Sequence, residues 1–205
     1  GAAHWKWSRS KGVSSIAAGE VEGDGVLPLC LTVTEAVPSN GWGFLSFLLG
    51  DTLRRLQPNT RYTLSFDIKS DMPLASNIVI MHGDNTGRLT SEGRLSLTGD
   101  GQWQRVTLAL TTNDLSRLTD EREQVLYFGN LGKTVGSLSI KNLKLEQGNL
   151  PTAWTAAPED LVCHPVGSLY LSVDATDPAA HFGGVWQAVD GSLTDLTVSI
   201  WRRIE

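Results

Sequence analysis

The sequence predicts an all-β chain, an antiparallel β-sandwich followed by a small C-terminal β segment. Three observations carry that prediction. Apolar residues recur with a period of two in several short runs, Gly, Asn, Asp and Pro turns separate the runs, and helical spacing is nearly absent. Many short strands with almost no helix form a two-sheet sandwich, and about 150 residues suit roughly eight to ten of them.

Each element has its own signal. Leu27-Pro28-Leu29-Cys30-Leu31 is apolar, and Cys30 reads there as a buried free thiol. Phe44 to Leu49 is an apolar run of strand length. The Pro58-Asn59 turn opens a clean alternation in which Tyr62, Leu64, Phe66 and Ile68 face one way and Thr63, Ser65, Asp67 and Lys69 the other. Ile78 and Ile80 begin another alternation, and Val106, Leu108 and Leu110 follow the Gly99-Asp100-Gly101 turn. Asn113 to Glu123, with Leu115 and Leu118 at helical spacing, is expected to hold a helical turn or two, and Val125 to Phe128 reads as a short strand. Leu138 and Ile140 share one phase while Leu143 and Leu145 share the other, so the slip at Lys141-Asn142 predicts a β-bulge.

Charge divides the chain. The 205 residues carry a net −5, yet residues 1–158 hold 15 acids and 15 bases, whereas residues 159–205 hold 7 acids and 2 bases. The whole excess therefore lies in the last segment, beyond a Pro- and Ala-rich stretch from Pro151 to Asp160 that reads as a linker or strand exit. The expected division is a sandwich over 1–158 and a β segment over 159–205. In the latter, Leu169, Leu171 and Val173 alternate with polar residues, as do Leu196, Val198 and Ile200. About 45 residues seldom bury enough surface to fold alone, so this piece must dock on the sandwich or on copies of itself.

Most chemistries find no support. An acidic chain with no basic run lacks the phosphate-neutralising charge of a nucleic-acid binder, and no apolar stretch approaches the roughly 18–20 residues of a membrane helix. The catalytic and nucleotide-binding motifs His-Glu-x-x-His, Gly-x-Ser-x-Gly and the P-loop are missing. His4, His82, His164 and His181 are scattered, and Cys163-His164 would point to opposite faces of extended chain, so metal binding there would need three copies around an axis. Asp120, Glu121 and Glu123 read as a solvated loop, and the chain is expected not to be an enzyme.

Carbohydrate binding has better candidates, because rings lie against the apolar face of a pyranose while amides, carboxylates and guanidiniums pair with hydroxyls. His82, Asp84, Asn85 and Arg88 concentrate such groups in the run His82 to Arg88, which reads either as a ligand loop or as a solvated hairpin loop. Trp42, between Gly41 and Gly43, is either presented by its small neighbours or packed in the core. Trp103 lies in the opposite phase to Val106 and Leu108, which puts it on an outer face, and Tyr127 is a further candidate. Trp5, Trp7 and Trp154 are expected to anchor the chain ends.

Three stretches resemble one family: Tyr62 to Ser70, Trp103 to Leu108, and Ile140 to Gly148. They look like the galactose-binding-like, or carbohydrate-binding-module-like, jelly rolls of bacteriophage tail proteins, and Pro151 to Asp160 is similar to the segment that closes that domain. The resemblance covers roughly residues 4–160 and implies a jelly-roll sandwich. Related modules often carry a structural calcium near the last strand, where Asn142 here replaces the expected carboxylate, so no cofactor is expected. A second stretch, Pro165 to Val173 with Asp177-Pro178 and Phe182 to Gln187, resembles the entry to the distal domain of phage tail-fibre and baseplate proteins. Leu196 to Arg203 is similar to its closing strand, and the glycine-rich knob of relatives shrinks here to Ala188–Asp195. Together these imply a non-enzymatic tail appendage of the virion, a homotrimer whose jelly roll binds cell-surface polysaccharide, with neither nucleic acid nor membrane insertion. A secreted bacterial carbohydrate-binding module and a purely structural fibre spacer are the alternatives.

Overall fold

The computed structural model describes residues 5–20, 25–49, 56–82, 87–116, 124–155, 169–172, 185–189 and 199–204. The chain divides into two compact units, one made of residues 1–20 and 28–155, the other of 21–27 and 156–205.

The first unit is an antiparallel β-sandwich. One five-stranded sheet runs β1 (Trp5–Arg9), β4 (Gly43–Leu48), β9 (Gln124–Gly129), β6 (Leu74–His82) and β7 (Gly93–Leu97). The other runs β2 (Val13–Ala18), β3 (Leu29–Glu35), β10 (Gly136–Gln147), β5 (Arg61–Ser70) and β8 (Gln104–Thr111). Alternation decides what each sheet buries. Tyr62, Leu64, Phe66 and Ile68 of β5 join Leu29, Leu31 and Val33 of β3, and they meet Leu45, Ile78, Ile80, Leu126 and Phe128 from the facing sheet in one core. At its centre the rings of Phe66 and Phe128 meet edge to face, 5.4 Å between centroids at 80°. Trp5 packs on Phe47 and Phe128, and the Trp7 indole donates to Ser14 Oγ at 2.9 Å, so both tryptophans tie the first strand down.

The predicted bulge is present. The β10–β5 register shifts between Lys141 and Lys144, and Asn142 sits at φ 57°, in the left-handed region that asparagine tolerates better than most residues. Two readings of the sequence are corrected. Residues 113–116 are not helical: Asn113 Oδ1 accepts from the Leu115 amide, Asp114 Oδ1 accepts from the Ser116 amide, and Leu115 has φ 53°. These side chains offer the backbone a turn in place of helix bonds; residues 117–123 lie outside the described residues. Cys30 is half-buried and not a core residue, because it occupies the phase of β3 opposite to Leu29 and Leu31.

Asp71 staples the β5–β6 turn to the start of β10, accepting from the Ser137 amide at 2.6 Å and the Ser137 hydroxyl at 2.7 Å. Those two donors hold its carboxyl below the usual carboxylate range. At the other end of β10, Lys144 and Glu146 clamp Thr152 and Ala153, so the beginning of the expected linker is fastened to the sandwich.

The second unit contains a three-stranded antiparallel sheet in the order β11 (Leu169–Ser172), β13 (Ser199–Arg203), β12 (Trp186–Val189). The Ile204 amide extends the pairing to the Val185 carbonyl at 2.9 Å. Trp186 is buried, whereas Leu169, Val185, Val189 and Ile204 are exposed.

Candidate functional site

The sheet containing β4, β9 and β6 is apolar on both faces. Its inner face supplies the core, and on its outer face Val79, Met81 and Val125 form a second buried cluster against Leu48 and Tyr127. That cluster is already covered, so what this face offers outward is the aromatic and polar groups around it.

Aromatic rings line one side of that floor. Trp42, 52% exposed, stacks on Phe44 with centroids 5.6 Å apart at 26°, and Phe44 meets Tyr127 at 4.7 Å. Phe44 lies two residues after Trp42, and the β4–β9 register sets Tyr127 opposite Ser46, so strand geometry brings the rings into file. The loop carrying Trp42 is held from both sides. Ser10 Oγ accepts from the Trp42 amide at 2.9 Å, and Lys133 Nζ donates to the carbonyls of Pro38 and Gly41 at 2.9 and 2.6 Å. The indole is therefore presented by an ordered backbone, which lowers the entropy lost on binding.

Beyond Tyr127 the floor opens into a notch made by Gly129. A Cβ there would come within 2.5 Å of Asn77 Oδ1 and 2.6 Å of Tyr127 Cε1, so only glycine lets the amide and the phenol edge approach each other. Ser76 Oγ donates to the Gly129 carbonyl at 2.7 Å and pins this spot. The notch leads into a groove of about 590 Å³ whose walls include Asn77, Asn130, Arg88, Glu92, Arg94 and Ser96. Arg88 pairs backbone to backbone with Met81, which sets it on this face, and its charge partly opposes the burial that raises the Tyr127 hydroxyl above the usual phenol range. The surface thus offers rings for stacking beside amide, guanidinium and carboxylate groups for hydroxyls.

Of the residues singled out from the sequence, Trp42, Tyr127 and Arg88 come together on this face. His82 does not: it ends β6 in the phase of Ile78 and Ile80, is 1% exposed, and lies with Nδ1 3.3 Å from Gln124 Nε2. Its own strand carries it inward. Asp84 and Asn85 lie outside the described residues. Trp103 is on the other sheet, next to β8, where the ammonium groups of Lys141 and Lys69 lie 4.4 and 5.3 Å from its ring centroid. Phe44, Asn77, Gly129, Glu92 and Arg94 were missed; the i, i+2 relation of Phe44 to Trp42 was the available signal.

The bulge in β10 carries Asn142, which stands where the resemblance implies a calcium-binding carboxylate in related modules. Arg105 fills the bulge with a fixed cation, donating from Nη1 to the Asn142 carbonyl at 2.8 Å and to Asp67 Oδ1 at 3.1 Å, and from Nη2 to Ser65 Oγ at 2.8 Å. Asn142 Nδ2 donates to the other Asp67 oxygen at 2.6 Å. A guanidinium among these oxygens does not fit a divalent cation, and no cluster of three metal-binding side chains occurs among the described residues. Arg105→Met, which keeps most of the stem, is expected to lower stability by about 2 kcal/mol in urea unfolding. Calcium or EDTA should leave the parent chain's midpoint unchanged; a midpoint that rises with calcium would contradict this.

No protein-family model matches the chain, and no curated protein matches it. Among solved structures, it is similar to the enzymatically active domain of bacteriophage CBA120 tailspike protein 4, at 14% identity and a TM-score of 0.51, over 72% of this chain and 20% of that one. It is also similar to the arabinose-bound MgGH51 α-L-arabinofuranosidase, at 11% identity and a TM-score of 0.51, over 71% of this chain and 23% of the enzyme. A family 11 carbohydrate-binding module from Clostridium thermocellum, solved with a β-1,3-1,4-mixed-linked tetrasaccharide, is 17% identical with a TM-score of 0.48, over 71% of this chain and 90% of the module. The chain spans about a fifth of the tailspike's length. At these identities the likeness is one of fold.

Proposed function

We propose that the outer face of the β4–β9–β6 sheet is a carbohydrate-binding surface and that the protein is a non-catalytic part of a phage tail appendage, displayed on the virion to hold a cell-surface polysaccharide. One observation carries the binding role: the file Trp42–Phe44–Tyr127 runs into a groove walled by amide, guanidinium and carboxylate groups. Glycan-array binding by the chain, weakened by loss of Tyr127, is the test. A non-catalytic role fits the groove's acid, Glu92, whose two oxygens are both engaged by Arg88 and Arg94.

The tail-appendage reading rests on the resemblance of residues 4–160 and 165–203 to phage tail domains. The second unit fits a trimerising role in the same reading. Its strands are four, four and five residues long, and its sheet leaves Leu169 62%, Val185 44% and Ile204 42% exposed. Copies of the same sheet around an axis would cover them. Light scattering is expected to return the mass of a trimer for the full chain and of a monomer after deletion of residues 161–205. A full chain that is already monomeric would remove the trimer.

A further inference from the structure

The groove's charge is uneven. Glu92 accepts from Arg88 Nη1 at 3.0 Å through one oxygen and pairs with Arg94 Nε at 3.3 Å through the other. One carboxylate therefore holds two guanidiniums in place and neutralises one of them. Each guanidinium has five N–H donors; Arg88 spends one in a hydrogen bond to Glu92 and Arg94 meets it as an ion pair, and both side chains line the groove. The side chains are 58% and 87% exposed, while the backbone beneath them is fixed: Arg88 is bridged to Met81 and its carbonyl accepts from Asn113 Nδ2 at 2.8 Å, and Arg94 pairs with Asn77 in the β6–β7 register. Lys6, exposed in the outward phase of β1, adds a further cation on this face. Among the described residues of this face the cations Lys6, Arg88 and Arg94 thus outnumber Glu92, in a chain whose net charge is −5.

We propose that the polysaccharide taken by this face is acidic, with uronate sugars whose carboxylates are received by Arg88 and Arg94 while neighbouring sugar rings lie on Tyr127, Phe44 and Trp42. The proposal rests on the reading of this face as a glycan site and names the class of glycan. Neutral hydroxyls are met well enough by Asn77, Asn130 and Ser96; a planar guanidinium fork matches a carboxylate in bidentate fashion and gains from its charge. Part of the attraction is long-range, so binding weakens as salt shortens the screening length.

The test uses the full chain and a panel of acidic bacterial polysaccharides, each offered native and carboxyl-reduced, with dextran sulfate as a polyanion without carboxylates. At least one native uronate polymer is expected to bind at least ten-fold tighter than its reduced form. The pair Arg88→Gln and Arg94→Gln together should erase that ratio while the thermal midpoint stays within a few degrees, and Arg94→Gln alone gives a second reading should the pair unfold. Equal binding of native and reduced forms, dextran sulfate binding as tightly as the uronates, or a ratio that survives in both variants would each overturn the acidic-glycan assignment and leave the glycan site standing. Binding to no polysaccharide, neutral or acidic, would instead sink the site itself.

Discussion

Phe66→Ala is expected to cost about 3–5 kcal/mol of folding stability. Phe66 is fully buried on β5, the strand held between β10 and β8, and its ring meets the buried Phe128 across the two sheets. Truncation removes the ring's burial and opens a cavity that β-strands, pinned by their ladders, cannot collapse to fill. The edge-to-face contact adds about 0.5–1.5 kcal/mol of coupling, to be read from a cycle with Phe128→Ala. Urea unfolding checks both quantities. A loss below about 1 kcal/mol would mean that the sheets are not joined at this pair.

The second large effect is on binding. Tyr127→Ala is expected to weaken the best array glycan by about ten-fold or more, equivalent to about 1.4 kcal/mol. Tyr127 is the ring with most to lose, because it touches Phe44 on one side and the Gly129 notch on the other, so its removal separates the remaining rings from the groove. Trp42→Ala should weaken binding several-fold, since the indole is half-exposed at the end of the row and touches sugar mainly on one face. Trp103→Ala should leave affinity unchanged, as that ring belongs to the other sheet. Isothermal titration of all three substitutions separates these outcomes, with circular dichroism spectra to establish that each variant is folded.

Much of the sandwich was legible because a period of two reports which face of a strand meets the core, although on β5 Thr63 and Ser65 of the opposite phase are buried as well. The phases of Tyr62–Ile68 and Val106–Leu110 are those seen in β5 and β8, and the slip at Lys141-Asn142 marks the bulge. The site was legible only in part. Trp103 was rightly placed in the outward phase, but phase does not say which sheet a strand joins, and β8 pairs with β5, away from the aromatic file. His82 looked loop-like beside Gly83, although counting on from Ile78 and Ile80 would have turned it inward. Phe44 was hidden in a run apolar in both phases, which reads as fully buried strand; here it signals a sheet with a core on one side and an apolar floor on the other. The Arg88–Glu92–Arg94 trio joins the Asn77 strand through the Met81–Arg88 bridge and the β6–β7 pairing, which no local pattern announces.

The most direct measurement is a crystal structure of the full chain with an oligosaccharide from its tightest array ligand. The account predicts a sugar ring lying flat on Tyr127, Phe44 or Trp42, with its polar edge toward Asn77 and the Arg88–Arg94 pair. A sugar bound against Trp103 and Lys141 on the opposite sheet, with the aromatic file bare, would contradict it.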